Sequence, residues 1–262
     1  MDRELYPDEE QRRRIMDFIM AAGQTLLENG AEVFRVEQTM EIMARSFHLR
    51  EFHVYILTNG IFASAGTAEI SEVRNVPSRT THLGRVAAVN ELSRQIAAGG
   101  VTLDEAEYQL AQAQRIPFPK AWVQLAAGLS GAFCFALIFG GTLRSGLAAA
   151  AAGLAANAYL LLCEKNHIPG GFCKITTAAL ITLICLLLCH LLQTEASHAI
   201  IGTLMILTPG IAFTMGIRDF VQGDYLSGTI RMIDALLVAA CIAIGTGFVL
   251  WCYSLLTGVT VG

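Results

Sequence analysis

Five long apolar segments fill the second half of this 262-residue chain, at Ala121 to Gly141, Gly146 to Cys163, Ile175 to Leu192, Ala199 to Ile217 and Met232 to Leu256. A run of about 20 apolar residues matches the hydrocarbon thickness of a bilayer, and a helix is the element that satisfies its own backbone hydrogen bonds there. Residues 119–262 therefore read as a domain of five transmembrane helices. Residues 1–118 read as a small water-soluble domain ahead of them.

Charge divides the chain at the same place. Of 18 Lys and Arg, 13 lie in residues 1–120, as do 17 of the 22 Asp and Glu. No basic tract or stripe offers the electrostatic footprint a nucleic acid requires, which excludes that class of partner. The charged start MDRELYPDEEQRRR has no apolar core behind it and does not read as a cleaved signal peptide. All seven cysteines lie in the apolar half without C-x-x-C spacing, and read as small packing residues rather than disulfide or metal ligands. No cofactor or metal site is expected.

The first 118 residues carry the pattern ααβββαα. Apolar positions at helical spacing predict a helix over 8–28, stopped at Asn29-Gly30, and a second from Glu32 to Phe47. Alternation over Phe52 to Leu57, a hairpin signal at Asn59-Gly60, and the stretches Ile61 to Gly66 and Glu69 to Val76 predict a three-stranded antiparallel meander. Helices over His82 to Ala98 and from a capping box at Thr102 to Glu105 complete an α+β layer. His48, His53 and His82, with Ser64, Ser71 and Ser78, form no G-x-S-x-G, H-E-x-x-H or P-loop, and read as structural or solvated.

Near span ends, Arg115, Lys120, Lys165, Lys174, Arg218 and Arg231 fall on one side and Arg144 alone on the other. The positive-inside rule then makes the N-terminus cytoplasmic and the C-terminus external. Chemistry concentrates in Leu207 to Leu237. Pro209 lacks an amide donor and Gly210 loosens the same point, so the fourth span is expected to break there beside Thr208, either as a simple kink or as a substrate or ion site. Arg218, Asp219, Asp224, Arg231 and Asp234 cluster around the junction of the last two spans.

Asp234 lies inside an apolar run, where charge is expensive unless paired or facing water. It reads as an ion-coupling or substrate-contacting group, or as the partner of Arg231 or Arg218. Asn157 in the second span is a further pathway candidate, with an interhelical hydrogen bond as the plainer alternative. His190, Glu195 and His198 read as an exposed polar rim. The segment His167 to Gly171 reads as a turn between spans.

Three segments, NGAEVFRVEQTM (Asn29 to Met40), YILTNGIFAS (Tyr55 to Ser64) and TPGIAFTMGIRDFVQGDYLSGTIR (Thr208 to Arg231), resemble the N-terminal module of the threonine/serine exporter family. The resemblance implies export of threonine, serine or, in a split two-protein form, succinate across the bacterial cytoplasmic (inner) membrane. It implies the larger subunit of that split form, an oligomer, and a small membrane partner carrying the second transporter module. An odd span count would set the two modules in inverted orientation. The competing expectation is a membrane-anchored hydrolase or metabolite sensor working through the soluble domain; a scaffold is the third.

Overall fold

The computed structural model describes residues 8–66, 70–77 and 80–258. Glu69 and Ser78 lie outside them. Contacts divide the chain into two compact units, one of residues 1–118 with 215–230 and one of 119–214 with 231–262.

The first unit begins with α1 (Glu9–Glu28) and α2 (Val33–Ser46). Asp8 caps α1 by accepting from the Gln11 amide at 2.7 Å, and Gly30 ends it at φ +88°. Ile15, Ile19, Ala22 and Leu26 face inward at helical spacing and meet Val36, Met40 and Met43 of α2, all nearly fully buried. A side chain on Gly23 would overlap Met40, so that glycine sets how closely the two helices approach.

Three strands follow, β1 (His53–Leu57), β2 (Gly60–Ala65) and β3 (Ile70–Asn75), paired antiparallel in the order β1-β2-β3. Ile56 opposes Ile61 and both are buried, while Tyr55, Phe62 and Val73 align across the opposite face and are exposed. The meander is the expected one, but its first turn slips by one residue. Leu57 pairs with Gly60, which puts Thr58 and Asn59 at the turn and Gly60 in β2 without a positive φ.

α3 (Leu83–Ala97) and α4 (Leu103–Gln114) complete the α+β layer. His82 caps α3 with Nδ1 accepting from the Arg85 amide at 3.2 Å, and its Nε2 lies 3.1 Å from the Pro117 carbonyl, a structural role for that imidazole. Thr102 Oγ1 accepts from the Glu105 amide at 3.4 Å, the first half of the expected capping box. Arg14 of α1 reaches Asp104 and Glu107 of α4, and these carboxylates raise its already high pKa.

The second unit is helical: α5 (Ala121–Ile138), α6 (Leu143–Lys165), α7 (Gly170–Leu191) and α8 (Ala196–Leu204), with most of α10 (Tyr225–Thr257). Small residues set its packing. A Cβ on Gly153 would lie 2.7 Å from Ala132 Cβ and overlap the Gly128 backbone, so α5 and α6 touch almost main chain to main chain. Gly202 of α8 likewise abuts the Ala136 backbone, and Gly245 of α10 abuts the Ile175 carbonyl.

Four helices, α5, α6, α7 and α10, are long and apolar enough to cross a membrane. The expected fourth span is instead two short helices, α8 of nine residues and α9 (Gly210–Val221) of twelve, separated at Met205 to Pro209. Proline explains the gap. It cannot donate to the preceding turn, and Gly210 N–H turns back to the Thr208 carbonyl at 2.9 Å.

Candidate functional site

The segment between α9 and α10 is a tight helical hairpin that belongs to the first unit. Gly223 turns the chain at φ +88°, and Asp224 Oδ1 accepts from the Ser227 amide at 3.2 Å to start α10. A Cβ on Gly228 would sit 3.0 Å from the Gly216 carbonyl and 2.9 Å from the Phe220 ring. The Gly-Asp and Ser-Gly pairs of the sequence are thus a turn, a cap and a close helix approach.

This hairpin closes a cavity of about 410 Å³ against α2 and β1. Val33, Phe34 and Glu37 come from α2, Tyr55 and Ile56 from β1, and Asp219, Gln222, Gly223, Asp224, Tyr225 and Leu226 from the hairpin. All three segments on which the family resemblance rests contribute to it. Its charged lining is acidic: Glu37, Asp219 and Asp224, with Asp219 only 2 % exposed. Burial first, then the charges of Glu41 and Asp224, push the Glu37 carboxyl above its ordinary pKa. Such a cavity favours a proton or an ammonium group and repels an anion.

Arg218 lies beside it. Its Nη1 donates to Glu32 Oε1 at 2.7 Å, tying α9 to the start of α2. Glu32 also stands 3.8 Å from Arg35.

The other sequence candidates lie elsewhere. Asn157 Nδ2 donates to the Gln124 carbonyl at 3.1 Å, joining α6 to α5 over Gly128, which is the plainer of its two readings. Thr208 Oγ1 donates to the Leu204 carbonyl at 3.2 Å at the break, with Pro209 and Gly210 next in line. Arg231 is half-buried and Asp234 exposed, both on the part of α10 in the helical unit. Arg218, Asp219 and Asp224 are therefore gathered in one unit, and Asn157, Thr208, Pro209, Gly210, Arg231 and Asp234 belong to the other.

Glu32, Glu37 and Tyr55 escaped the sequence reading as site residues. Their membership in the two N-terminal segments that carry the resemblance was the available signal. Among the described residues, no group of His, Cys, Asp and Glu is arranged to hold a metal ion.

Large apolar side chains stand exposed along the helical unit, among them Trp122, Leu147, Phe172, Leu187, Phe248 and Trp251. Water does not tolerate a surface of that extent on a monomer, and a bilayer requires it. With four membrane-length helices, the chain is a multi-pass membrane protein carrying a small α+β unit.

It belongs to the threonine/serine exporter family: the family model described as "Putative threonine/serine exporter" matches residues 17–253. A "Probable threonine/serine exporter" of Mycobacterium tuberculosis is 26 % identical over 245 residues, covering 91 % of this chain and 46 % of the relative. The chain thus spans about half the length of the curated relative it matches. No solved structure matches it significantly.

Proposed function

We propose that the chain is a subunit of a secondary transporter that exports small polar carboxylated metabolites, threonine, serine or a succinate-like dicarboxylate, across the bacterial cytoplasmic membrane. The observation that carries this reading is the interruption at Met205 to Pro209 between two short helices, amid helices that run unbroken. Helix ends within an apolar layer leave amides and carbonyls that coordinate substrates and ions, as in transporters built on broken helices. Family membership supports the same class.

In this reading α8 and α9 together make a broken fourth crossing, giving five. The N-terminus and the α+β unit are cytoplasmic and the C-terminus is external, as the distribution of Lys and Arg favours. α10 has 33 residues, about 50 Å of helix against a hydrocarbon layer of about 30 Å, so its first turns extend beyond the bilayer. Asp234 or Asp219 carries the coupling proton, and Arg218 or Arg231 attracts the substrate carboxylate.

A second membrane module completes the transporter, on a small partner subunit in inverted orientation. Support comes from the relative, which has as much chain again outside the match. The test is flux in proteoliposomes with and without that module, across amino acids and dicarboxylates. Substrate-specific flux that needs both modules is expected; no flux of any substrate in any combination overturns the reading.

The acidic cavity of the first unit favours one alternative, a metabolite sensor, over a hydrolase. Its lining offers recognition of a cationic group, with Tyr55 and Phe34 beside the carboxylates. Metabolite binding by the full chain that is lost in Glu37→Gln, without membrane flux, is the outcome that would select it.

A further inference from the structure

The first unit holds a second cavity, of about 310 Å³, that shares no lining residue with the acidic one. It lies between the start of α1, the turn from α2 into β1, and the facing ends of β2 and β3. Leu49, Ala65 and Ile70, all buried, give it an apolar floor. Its charged lining is wholly basic, with Arg12 from α1 and Arg50 from the turn, and His48 stands in the same wall. Residues 1–120 carry 13 basic against 17 acidic side chains, so a cavity lined by cations runs against the balance of its own domain.

The turn that supplies His48 and Arg50 is held in an uncommon conformation. Of the four non-glycine residues at positive φ among the described residues, two, His48 at +57° and Glu51 at +52°, bracket Leu49 and Arg50. Histidine enters that region more readily than most side chains, and glutamate is not among those that do. The Arg50 carbonyl accepts from the Gly66 amide at 3.2 Å, which ties the turn to the end of β2. Local strain of this kind persists where the surrounding structure fixes it, and it gathers at binding sites. Here it buries Leu49 while leaving His48 and Arg50 exposed around the cavity.

We propose that this cavity binds a phosphoryl group, carried by a soluble phosphate ester or a lipid headgroup, with Arg12, Arg50 and the His48 imidazole donating to its oxygens. Charge decides against a simple carboxylate. A phosphate monoester carries about −1.5 to −2 at neutral pH, which matches two guanidinium groups, and its terminal oxygens accept from several directions at once. A single carboxylate offers one charge and two oxygens in a plane, enough for one arginine fork. Both arginines make other interactions as well. Each has five N–H donors, so a guanidinium held by a neighbour still binds an anion. The volume is at the small end of ligand sites and holds the phosphoryl group with a body of a few carbons over the apolar floor. The site belongs to the α+β unit alone, so it stands or falls independently of what the helical unit transports.

The test is equilibrium binding of labelled inorganic phosphate to the full chain in phosphatidylcholine nanodiscs, with glycerol phosphate and succinate as competitors. Saturable binding is expected, displaced by glycerol phosphate but not by succinate at equal concentration. Arg12→Gln and Arg50→Gln should each weaken it about tenfold or more, the loss expected for a charge-assisted contact. Arg13→Gln, which removes an exposed cation next to Arg12, should leave it within about twofold. Arg50 is exposed, so its variant should melt with the wild type and the loss report on binding.

Nanodiscs with added phosphatidic acid, or phosphatidylglycerol as the anionic control, separate the two sources. Phosphate binding suppressed by phosphatidic acid alone assigns the site to a lipid headgroup, and equal binding in both assigns it to a soluble ester. Absence of phosphate binding, affinity unchanged in both Arg12→Gln and Arg50→Gln, an equal loss in Arg13→Gln, or displacement by succinate as efficient as by phosphate itself overturns the proposal.

Discussion

Arg218 donates to Glu32 at 2.7 Å across a separation of 186 residues, fastening α9, the helix that follows the break at Pro209, to the residue just ahead of α2. The pair is partly exposed, with side chains 44 % and 22 % accessible, so water screens it. A double-mutant cycle on Arg218→Gln and Glu32→Gln should return a coupling of about 0.5–1 kcal/mol in thermal or denaturant unfolding. Arg218→Gln alone should be the more damaging single change, because Glu32 Oε2 is buried and has no hydrogen bond.

Glu37 gives a pH signature. Its pKa is raised in the folded state, chiefly by burial and then by Glu41 and Asp224, so the native protein binds its proton more tightly than the unfolded chain. The ionised form therefore costs stability, and the cost is absent below the unfolded carboxyl pKa and grows as pH rises through the folded one. Glu37→Gln should raise the melting temperature at neutral pH and leave it unchanged at acid pH. Melting curves of both proteins across that range check the sign.

Glycine packing separates two substitutions that look alike in sequence. Gly153→Ala places a methyl against Ala132 and the Gly128 backbone, which cannot move aside cheaply, and should cost about 1–3 kcal/mol. Gly131→Ala, in α5 with nothing near its added carbon, should be neutral or stabilising by about 0.5–1 kcal/mol. Thermal unfolding in detergent distinguishes the two.

Much of the first unit was legible because its signals are local. Helical spacing in α1 and α2, the Thr102 cap and the alternation through β1 depend on neighbours within a few residues. The turn slipped by one: Asn-Gly favours a turn centred on itself, whereas here the buried Ile56 pairs directly with the buried Ile61, which sets Leu57 opposite Gly60. Pro209 announced its break for the same local reason.

The acidic cavity was not legible as a site. Glu37 stands on the polar flank of an amphipathic helix and Glu32 just ahead of it, where carboxylates ordinarily face water, and the chain that meets them arrives some 180 residues later. The resemblance marked α2, β1 and the α9–α10 hairpin separately, and only the fold brought them together. His190 and Glu195 are exposed and His198 half-exposed, the polar rim that the sequence led one to expect.

The central claim is transport through a module opened at Pro209, and counterflow tests it most directly. Proteoliposomes holding the chain and its second module, loaded with unlabelled substrate, should accumulate labelled substrate transiently, and Pro209→Ala should lower that rate at least several-fold while the protein still melts cooperatively. Absence of counterflow for serine, threonine and succinate alike would contradict the account.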